Sequence, residues 1–539
     1  MKHLKTVLLV TAIIIAFTVN AFPQLVAIGQ SSEWEATGFN NGRRMVRDCS
    51  GLVDGFYHYV WHSQDNPANA PSGSDCDIFY ACTDENGFSI IAPINLTDKF
   101  GFTDNRYPSI AIENYALDTA PSTWRTYNTL HVVWQCKQTA LTNYEIMHGV
   151  IYVSTPAAPA PPPAPPAELV NVQNISQTPT RDSLVPAIDI NHFTPGAPLG
   201  GQHIHVVWQE ENVPHAGGAN ASDIFYTRST DSGLTFSGPV SGGLWDNITN
   251  SPRHSQMPSI ACAIDVFNGF PVQYLGFDCY YPTNYVHVAY NENTPLGVHV
   301  YYLYSTTDGN GWGGGLTDVT AAAGGGVAAR DGYPNISCDM RNYAHIVFMR
   351  NVGRHSPLTT GYNPGMDPTV VSSFPGPNPG MYGALVNDII YWSSNVLAPA
   401  SPVLPAVYDR EFPTVALDRF QNVTINWQEC QIVAGVPGNY EVFRDYCFNL
   451  NVPVRPPAVP NYGAWAAGPN NDSNDAANDD LFPNLAHKKE SMYYIRVAPF
   501  PGFTEFWNKV TGVGAGACMA PGPKNVYSRN NVARDAAVN

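Results

Sequence analysis

Short apolar strands and turns alternate along most of the chain, and the same strand patterns return in the same order. The first pattern has a proline at its second position, the second ends in an aromatic residue, and the third opens with an acid. A fainter fourth pattern, such as Asn-Ile-Thr at 247–249, closes several copies. The first pattern recurs six times, beginning at Tyr107, Val185, Met257, Tyr333, Phe412 and Phe482.

The second pattern reads LHVVW at 130–134 and IHVVW at 204–208, with comparable strands in four other copies. Four short strands rich in β-branched and aromatic residues, separated by Gly, Pro, Asn and Asp, predict a four-stranded antiparallel sheet. One such sheet cannot bury both of its faces, whereas copies stacked radially can. The pattern therefore predicts an all-β protein, a single β-propeller of four-stranded antiparallel blades. We favour seven blades, the last from Phe482 to about Val510, with six as the alternative.

The order of segments gives the predicted domain organisation. Lys2 and Lys5 precede an apolar run that ends in Val19-Asn20-Ala21, which predicts a signal peptide over residues 1–21. Residues 22–42 are then an N-terminal segment and a candidate for closing the ring, 43–510 the propeller, and 511–539 a C-terminal tail. Three long loops are predicted inside the propeller, at 155–167, 351–386 and 449–480. The first is rich in proline, and because strand patterns resume in register after it, we interpret it as a stiff loop within one blade.

Charge and cysteine content narrow the class of protein. The formal net charge is -17 and only 13% of residues are charged, so the basic surface that phosphate backbones require is missing and nucleic acid is not an expected partner. After the signal peptide, no apolar stretch has the length of a transmembrane segment. The ten cysteines predict disulfides in an oxidising compartment, with Cys76–Cys82 and Cys430–Cys447 as the nearest candidate pairs. These features predict a secreted protein, extracellular or held at the cell surface.

Residues 229–236 read STDSGLTF, in which Ser229, Asp231, Gly233 and Phe236 match the Asp-box pattern S-x-D-x-G-x-x-F/W. Such a turn uses the Asp as an acceptor of backbone N–H groups, the Gly for positive φ, and the aromatic as an anchor. With its flanking strands, this stretch resembles the BNR-repeat, sialidase-like propellers, over about residues 43–510. Thr83–Phe88 and Ser305–Trp312 resemble degenerate copies with altered spacing. The resemblance implies a structural role for the box, on the side of the propeller opposite the active site.

A catalytic site of the sialidase kind is not evident in the sequence. It needs an arginine cluster that grips a carboxylate, a Tyr nucleophile activated by a Glu, and an Asp acid/base. Arg43, Arg44 and Arg47 come early but lack the proline of the F/Y-R-x-P motif of that family. Three others precede first strands without forming any pattern, namely Arg253, Arg330 and Arg410. We therefore assign no catalytic residue and keep a sialidase-like glycoside hydrolase, or another carbohydrate-active enzyme, as the alternative function.

Histidines recur at one position of the second strand, at His58, His131, His205, His287 and His345. Equivalent positions in different blades are held apart, so we expect a repeated hydrogen bond instead of a shared metal ion. The candidate partner is the acid that opens the third strand, which is Asp77, Glu145, Asp223, Asp388 or Glu441.

An oxygen-rich run, NNDSNDAANDD, offers a possible Ca²⁺ site, with a plain solvated loop as the alternative interpretation. It lacks the Gly and the distal Glu of an EF-hand loop. Its candidate ligands are Asp472, Asn474, Asp475, Asp479 and Asp480. No other cofactor is expected.

Seven Asn-x-Ser/Thr sequons occur, at Asn95, Asn174, Asn220, Asn247, Asn335, Asn422 and Asn471. Asn95, Asn174 and Asn247 share the fourth-strand position, which favours a structural repeat over glycan acceptors.

Function in a propeller usually resides where loops depart from the repeat. The insertions at 351–386 and 449–480 are rich in Pro, Gly, Asn and aromatic residues, and we expect them on one face. Candidate ligand contacts within them are Tyr362, Tyr382, Tyr462 and Trp465. The sequence thus predicts a secreted, non-catalytic propeller that binds an extracellular protein or carbohydrate. A homo-oligomer or polymer of this chain is a further possible assembly.

Overall fold

A computed structural model gives the fold. It describes residues 28, 37–47, 56–64, 76–83, 89–118, 124–139, 143–153, 168–191, 203–216, 218, 220–265, 271–274, 277–280, 283–313, 315–327, 329–339, 342–350, 388–395, 398, 400–402, 408–417, 422–433, 436–437, 441–450, 461–465, 470–471, 525–526 and 534–536.

The first three blades are antiparallel sheets of four strands in sequence order. Blade 1 contains β1 (Met45–Arg47), β2 (Tyr57–Gln64), β3 (Cys76–Thr83) and β4 (Ser89–Asn95). Blade 2 contains β5 (Asp104–Asp118), β6 (Trp124–Lys137), β7 (Glu145–Val153) and β8 (Val170–Asn174). Blade 3 contains β9 (Ser183–Asn191), β10 (His203–Pro214), β11 (Asn220–Ser229) and β12 (Asp246–Asn247).

Three further blades follow the same order, with extra strands in blades 4 and 6 and only three described strands in blade 5. Blade 4 contains β13 (Ser255–Asp265), the hairpin β14 (Pro271–Tyr274) and β15 (Phe277–Tyr280), β16 (Thr283–Asn293), β17 (Val298–Ser305) and β18 (Thr317–Asp318). Blade 5 contains β19 (Asp331–Cys338), β20 (Ala344–Arg350) and β21 (Asp388–Ser393). Blade 6 contains β22 (Tyr408–Leu417), β23 (Val423–Val433), β24 (Val436–Pro437), β25 (Glu441–Asn449), β26 (Tyr462–Trp465) and β27 (Asn470–Asn471).

Helices are a minor part of the described chain, and none of its helices has the length and apolarity that crossing a membrane requires. A 3-10 turn spans Asp98–Phe100 and a one-turn α-helix spans Val319–Ala322. A short pair, β28 (Asn525–Val526) with β29 (Arg534–Ala536), lies near the C-terminus. The prediction of an all-β propeller is therefore confirmed, with six blade sheets in the described part. Residues 482–510, the predicted seventh blade, lie outside the described residues.

Apolar packing joins each blade to the next, as the strand patterns predict. One buried cluster combines Val60 and Ile78 of blade 1 with Val132 and Trp134 of blade 2. Another combines residues of blades 2 and 3 around Trp208. Trp134 and Trp208 have no exposed surface, so these strand-end aromatics serve interblade packing and are not available to a ligand.

The histidine repeat forms a diagonal pair with the third strand. In blade 3 the Nδ1 of His205 lies 2.7 Å from the Tyr226 hydroxyl, and His205 is fully buried. The same pair recurs at 2.7–2.8 Å in blades 1, 4 and 5, as His58–Tyr80, His287–Tyr302 and His345–Tyr391. The predicted hydrogen bond exists, but the predicted acidic partner is wrong. The tyrosine occupies the same sheet face as the histidine, two residues from the histidine's direct cross-strand partner, whereas the acid lies five residues from that partner and on the opposite face.

The acid that opens the third strand binds the sequon of the fourth strand instead. In blade 3 the Asp223 carboxylate accepts hydrogen bonds from the Asn247 amide (2.6 Å) and the Thr249 hydroxyl (3.0 Å). The Thr249 hydroxyl in turn accepts the Ile224 backbone N–H at 3.0 Å. We call this arrangement the acid clamp. Blade 1 repeats it with Asp77, Asn95 and Thr97, and blade 2 has a variant in which Glu145 accepts from Ser176.

Blade 4 keeps the clamp, but its carboxylate stands on the fourth strand instead of the third. His299 occupies the acid position and Asp318 the asparagine position, and their side chains lie 2.8 Å apart. Thr320 still accepts the Val300 backbone N–H at 2.9 Å. The polar link between third and fourth strands is thus retained although its residue types change.

The Asp-box residues form a tight turn at the end of the third strand. The Ser229 hydroxyl accepts the Gly233 N–H at 2.8 Å, and Asp231 accepts the Thr235 N–H at 2.9 Å. Burial alone would raise the pKa of Asp231, but hydrogen bonds from Thr235 and Ser229 outweigh it and lower that pKa. Phe236 meets His148 of the preceding blade edge-on, with ring centroids 4.8 Å apart.

A second turn of this kind forms at Ser305–Trp312, where Ser305 accepts the Gly309 N–H at 3.0 Å. Ser, Gly and the aromatic keep the spacing of the box, and only the aspartate is displaced by one position, to Asp308. Asp308 now reaches blade 3, where its carboxylate lies 2.7 Å from Arg228 and 3.2 Å from His205. Burial opposes ionisation of Asp308, yet hydrogen bonds and charge from His203 and His205 hold its pKa well below the usual value.

Neither candidate disulfide forms. Cys82 and Cys447 are free, buried thiols. Cys76 and Cys82 stand six residues apart on β3, or about 20 Å, whereas a disulfide needs Cα atoms within about 7 Å. Cys447 pairs with Val423, seven residues along β23 from Cys430, or about 23 Å away. Proximity in sequence was misleading because extended strands carry the cysteines apart.

The two long insertions do not leave from a single face. We call the end of the sheets that holds Arg350 and its partner Asp388 the upper end; residues 351–387 depart from it. Asn449 and its partner Tyr462 lie at the opposite, lower end, beside Asn422, so residues 450–461 connect there. Asn471 pairs with Phe443, near the start of β25. The expectation of one shared face is therefore wrong for the first half of the second insertion.

Substitution of Gly309 tests the turn at the blade 3–4 contact. A Cβ at Gly309 would lie 2.0 Å from the Tyr226 hydroxyl, and the residue has φ +81°. We expect Gly309→Ala to lower the free energy of unfolding by about 2–4 kcal/mol, from left-handed strain and overpacking together. Gly313→Ala, in the same hairpin but with open space around it, is the control and should stay near wild type. Denaturant unfolding measures both, and equal stabilities would contradict this account of the contact.

Acid should weaken the blades through their buried histidines. Burial, and then His131 beside it, hold the pKa of His148 well below 6.5 in the folded state. Below pH 6.5 the unfolded chain binds a proton at His148, whereas the folded chain keeps this histidine neutral. The contribution of neutral His148 to the free energy of unfolding is therefore present above that pH and is lost as the pH falls. We expect the stability of His148→Gln to fall less steeply than wild type between pH 6.5 and 5.5, by up to about 1.4 kcal/mol per unit. Parallel slopes in urea unfolding series over that range would refute it.

Candidate functional site

The channel at the propeller axis is where a ligand site would be expected, and apolar side chains fill it. The residue before the proline of each first strand points into one shared buried cluster. All five residues are at most 3% exposed and have positive φ: Tyr107 (50°), Val185 (44°), Met257 (54°), Tyr333 (53°) and Phe412 (49°). Each of their strands is also bulged at this point.

Left-handed backbone is costly for residues other than glycine, and most of all for a β-branched one such as Val185. The bulge turns each of these side chains towards the axis, and mutual packing there holds the strained conformation. The bulge interrupts the hydrogen bonds between strands at the next position. Proline suits that position because it has no backbone N–H that would be left unpaired. The x-Pro repeat is therefore an axial packing device.

Residues 39–41 of the N-terminal segment complete this packing. The ring of Phe39 lies 5.1 Å from that of Tyr107, 6.0 Å from Tyr333 and 6.3 Å from Phe412, measured between centroids. In blade 1 the register places Gly42 where the other blades have their axial side chain. A Cβ on Gly42 would come within 2.9 Å of Ser109, so Phe39 contributes the apolar group that blade 1 itself cannot.

Two buried asparagines bind this segment to four blades at once. The Asn41 amide donates to the carbonyl oxygens of Val185 (2.9 Å) and Pro258 (3.0 Å). The Asn40 amide donates to those of Tyr333 (2.8 Å) and Pro413 (2.6 Å). We call residues 39–41 the axial plug. The plug satisfies carbonyl groups that the bulges leave outside the strand ladders, in blades 3, 4, 5 and 6.

Two arginines before the first strand of blade 1 make buried contacts, one with the plug and one with blade 3. Arg44 is 2% exposed and donates to the carbonyl oxygens of Gly38 and Phe39. Burial lowers the pKa of Arg44 to about 9. Arg43 forms a two-pronged ion pair with Asp189 of blade 3, at 2.7 and 3.2 Å. The side chain of Arg47 lies outside the described residues.

The later arginines do not assemble into a carboxylate-binding cluster among the residues described. Arg410 is buried and binds Glu429 at 2.6 Å and Asp388 at 3.2 Å. Arg253 binds Glu292 of its own blade at 3.3 Å. Arg330 forms a backbone bridge with Val298, and burial lowers the pKa of its guanidinium group. The guanidinium groups of Arg253 and Arg410 are thus engaged with carboxylates in separate blades.

Three carboxyl groups at the upper end have raised pKa values, and burial is the main cause for each. They are Glu210, Glu292 and Asp331. Glu210 is also bound by the Ser183 hydroxyl and Arg181, and Asp331 by Arg350 at 2.9 Å. Raised pKa values occur both in structural carboxyl groups that form ion pairs and in catalytic general acids. The contacts of each carboxyl group must therefore distinguish the two roles. Each of the three is held by an arginine of its own blade.

The predicted ligand contacts separate into described and undescribed residues. Tyr462 is 6% exposed and meets His345 edge-on, with centroids 5.5 Å apart. Trp465 is half-buried and donates its indole N–H to the Ala400 carbonyl at 2.7 Å. Both belong to the outer part of blade 6, and their role in binding stays a prediction. The remaining tyrosines, Tyr362 and Tyr382, lie outside the described residues.

Nothing in the structure bears on the possible Ca²⁺ loop, because its five candidate ligands at 472–480 lie outside the described residues. Within the part of the chain that is described, no group of three or more His, Cys, Asp or Glu side chains is placed to hold a metal ion.

Sequence reasoning missed the axial plug. Its sequence, FNN, belongs to no repeat pattern and precedes the first strand by only a few residues. The only signal was adjacent asparagines beside a glycine, which is typical of many surface turns.

No protein-family model matches the chain, and no curated protein matches it. Among solved structures, a protein of unknown function from Dyadobacter fermentans is 10% identical, with a TM-score of 0.38 over 76% of this chain and 94% of the other. An alpha-L-arabinanase of Penicillium chrysogenum, complexed with arabinobiose, is 10% identical with a TM-score of 0.37, over 78% and 96%. The NanB sialidase of Streptococcus pneumoniae is 11% identical with a TM-score of 0.27, over 75% and 67%. Similarity at this level says nothing about activity.

Removal of one plug amide should weaken the whole propeller. Asn41→Ala leaves the carbonyl oxygens of Val185 and Pro258 buried without their donor, which we expect to cost about 2–4 kcal/mol of unfolding free energy. The exposed Asn461, changed to Ala, is the control and should change stability by less than about 0.5 kcal/mol. Guanidinium unfolding gives both values, and a wild-type midpoint for Asn41→Ala would show that the plug is dispensable.

Proposed function

We propose that this protein is an exported, non-catalytic β-propeller that works by binding an extracellular protein or carbohydrate through its irregular loops. The observation that carries the proposal is the axial plug. Phe39, Asn40 and Asn41 occupy the position at which propellers usually admit a small ligand, and their hydrogen bonds are to backbone carbonyls of the hub.

The state of the arginines supports the same conclusion. A sialoside carboxylate needs guanidinium groups that converge and still have donors to offer. Arg410 and Arg253 are instead committed to carboxylates of the propeller itself. Membership of the BNR-repeat group stays part of this proposal, as does the structural role of Ser229, Asp231 and Gly233.

The insertion at 351–386 is the best candidate for the binding surface. It departs from the upper end between Arg350 and Asp388, both of which take part in ion pairs that fix its two ends to blades 5 and 6. A rigid base under a variable loop is the arrangement by which propellers commonly recognise partners. Association of this chain with itself through the same surface is a version of this proposal.

A glycoside hydrolase remains the second candidate function. The raised pKa values of Glu210, Glu292 and Asp331 favour it, because a general acid must hold its proton near neutral pH.

One set of measurements on the purified full-length chain tests both candidates. We expect no turnover of a fluorogenic sialoside or of nitrophenyl arabinoside, and retention on an array of sialylated and neutral oligosaccharides or on cell-surface extracts. Replacement of residues 351–386 by a Gly/Ser linker should abolish retention without shifting the thermal midpoint, whereas the same replacement of 155–167 should keep it. Turnover that disappears in Glu292→Gln would overturn the proposal in favour of the enzyme. Light scattering over a concentration series separates self-association from binding of a different partner.

A further inference from the structure

The sequons differ sharply in what their asparagines do in the folded protein. All seven lie on described backbone, and the side chains of six, all but Asn471, are described. Asn335 and Asn422 are buried, and Asn95, Asn174 and Asn247 are half-buried. Asn220 alone among these six is exposed.

Structural hydrogen bonds occupy the other sequon asparagines. The amide nitrogens of Asn95 and Asn247 donate to the acid clamps at 2.8 and 2.6 Å. Asn335 donates to the Asn40 carbonyl of the plug and accepts the Val415 N–H at 2.9 Å. A sugar on any of these nitrogens would need space that the neighbouring strand or the hub already fills.

The two remaining asparagines are fixed through their carbonyl oxygens. Asn174 accepts the backbone N–H groups of Ser176 (3.1 Å) and Gln177 (2.9 Å). Asn422 accepts the Asn449 N–H at 2.9 Å. These bonds set the side-chain rotamer, so neither amide can swing outwards to carry a bulky group without losing them.

Asn220 stands in a different setting, at the tip of the hairpin between the second and third strands of blade 3. It is the first residue of β11, and its cross-strand partner is Pro214, which has no N–H to contribute to the ladder. Pro214, Ala216 and Gly218 beside it are exposed as well. A branched oligosaccharide would therefore project from the upper end into solvent without displacing any packed group.

We propose that Asn220 is the N-glycan acceptor of this exported chain, and that the other described sequons are structural. In the transfer, Nδ2 of Asn220 forms a bond to the anomeric carbon of a lipid-linked oligosaccharide. The bond between that carbon and the lipid diphosphate breaks, the diphosphate leaves with the bonding electrons, and the amide gives up one proton to the transferase.

The timing of this transfer follows from the third residue of the sequon. In the folded chain Ser222 is fully buried, and its hydroxyl lies 3.0 Å from Nδ1 of His254. The transferase must contact that hydroxyl to recognise the sequon. The sugar must therefore be attached before β11 packs and buries Ser222. A glycan placed on Asn95, Asn247, Asn335 or Asn422 at that stage would block folding, which removes such molecules from the secreted pool.

The position also has a consequence for recognition. The glycan would cover the upper end of blade 3, while the insertion at 351–386 departs from blade 5. Partners would then approach the upper end from the side of blades 5 and 6.

Site-resolved mass spectrometry tests the proposal on the full-length chain, secreted from a eukaryotic cell line and purified as folded monomer or oligomer. Peptides are compared before and after treatment with peptide N-glycosidase, which converts a glycosylated Asn to Asp. We expect conversion at Asn220 and unmodified Asn95, Asn174, Asn247, Asn335 and Asn422. An unmodified Asn220, or a glycan on any of those five in the folded protein, would overturn it.

Two variants separate modification from folding. Asn220→Gln should lose the glycan at that site and keep the wild-type unfolding midpoint. Asn95→Gln should keep the glycan on Asn220 but unfold at lower denaturant, because the acid clamp of blade 1 loses its amide donor. A wild-type midpoint for Asn95→Gln would show that the clamp asparagine is not structural and would count against the proposal.

Discussion

Convergence of the first strands at one axis is the constraint on which the rest of this structure depends. Five side chains reach that axis only because their backbones adopt positive φ at a bulge, a conformation that Val185 or Tyr333 would not hold in isolation. Mutual burial stabilises all five side chains together, so the positive-φ conformation of each one depends on packing against its neighbours. The bulges also leave carbonyl oxygens at the hub without partners in the strand ladders, and the side-chain amides of Asn40 and Asn41 donate hydrogen bonds to them.

Contacts between blades rest on a second device, the insertion of a turn from one blade into the side of the preceding one. Gly233 packs against His148, and Gly309 against Tyr226, in each case closer than a Cβ would allow. The histidine pairs thus do more than stiffen one sheet, since they present a flat, buried surface that receives the next turn. Displacement of the aspartate to Asp308 keeps this turn and adds an ion pair to Arg228 across the contact.

These structural contacts occupy polar groups that would otherwise be candidates for a functional site. The sequon residues of the fourth strand belong to the acid clamps, Arg253 and Arg410 bind carboxylates of the propeller, and the axis is filled by the chain itself. What remains for recognition is the irregular part of the molecule. This use of polar groups within the blades is the physical basis on which we propose a binding protein.

The repeat could be read directly from the sequence, because period-two burial and turn residues are local properties of each strand. The x-Pro strands, the aromatic strand ends and the Asp-box turn at Ser229 follow from such local preferences, and they sufficed for the propeller fold. The partner of each histidine did not follow, because it depends on which diagonal neighbour shares a sheet face. The separation of Cys76 from Cys82, the departure of residues 450–461 from the lower end, and the burial of Asn40 and Asn41 likewise depend on distant segments meeting. Local pattern determined which strands form, and only tertiary packing decided which polar groups remain available once they have met.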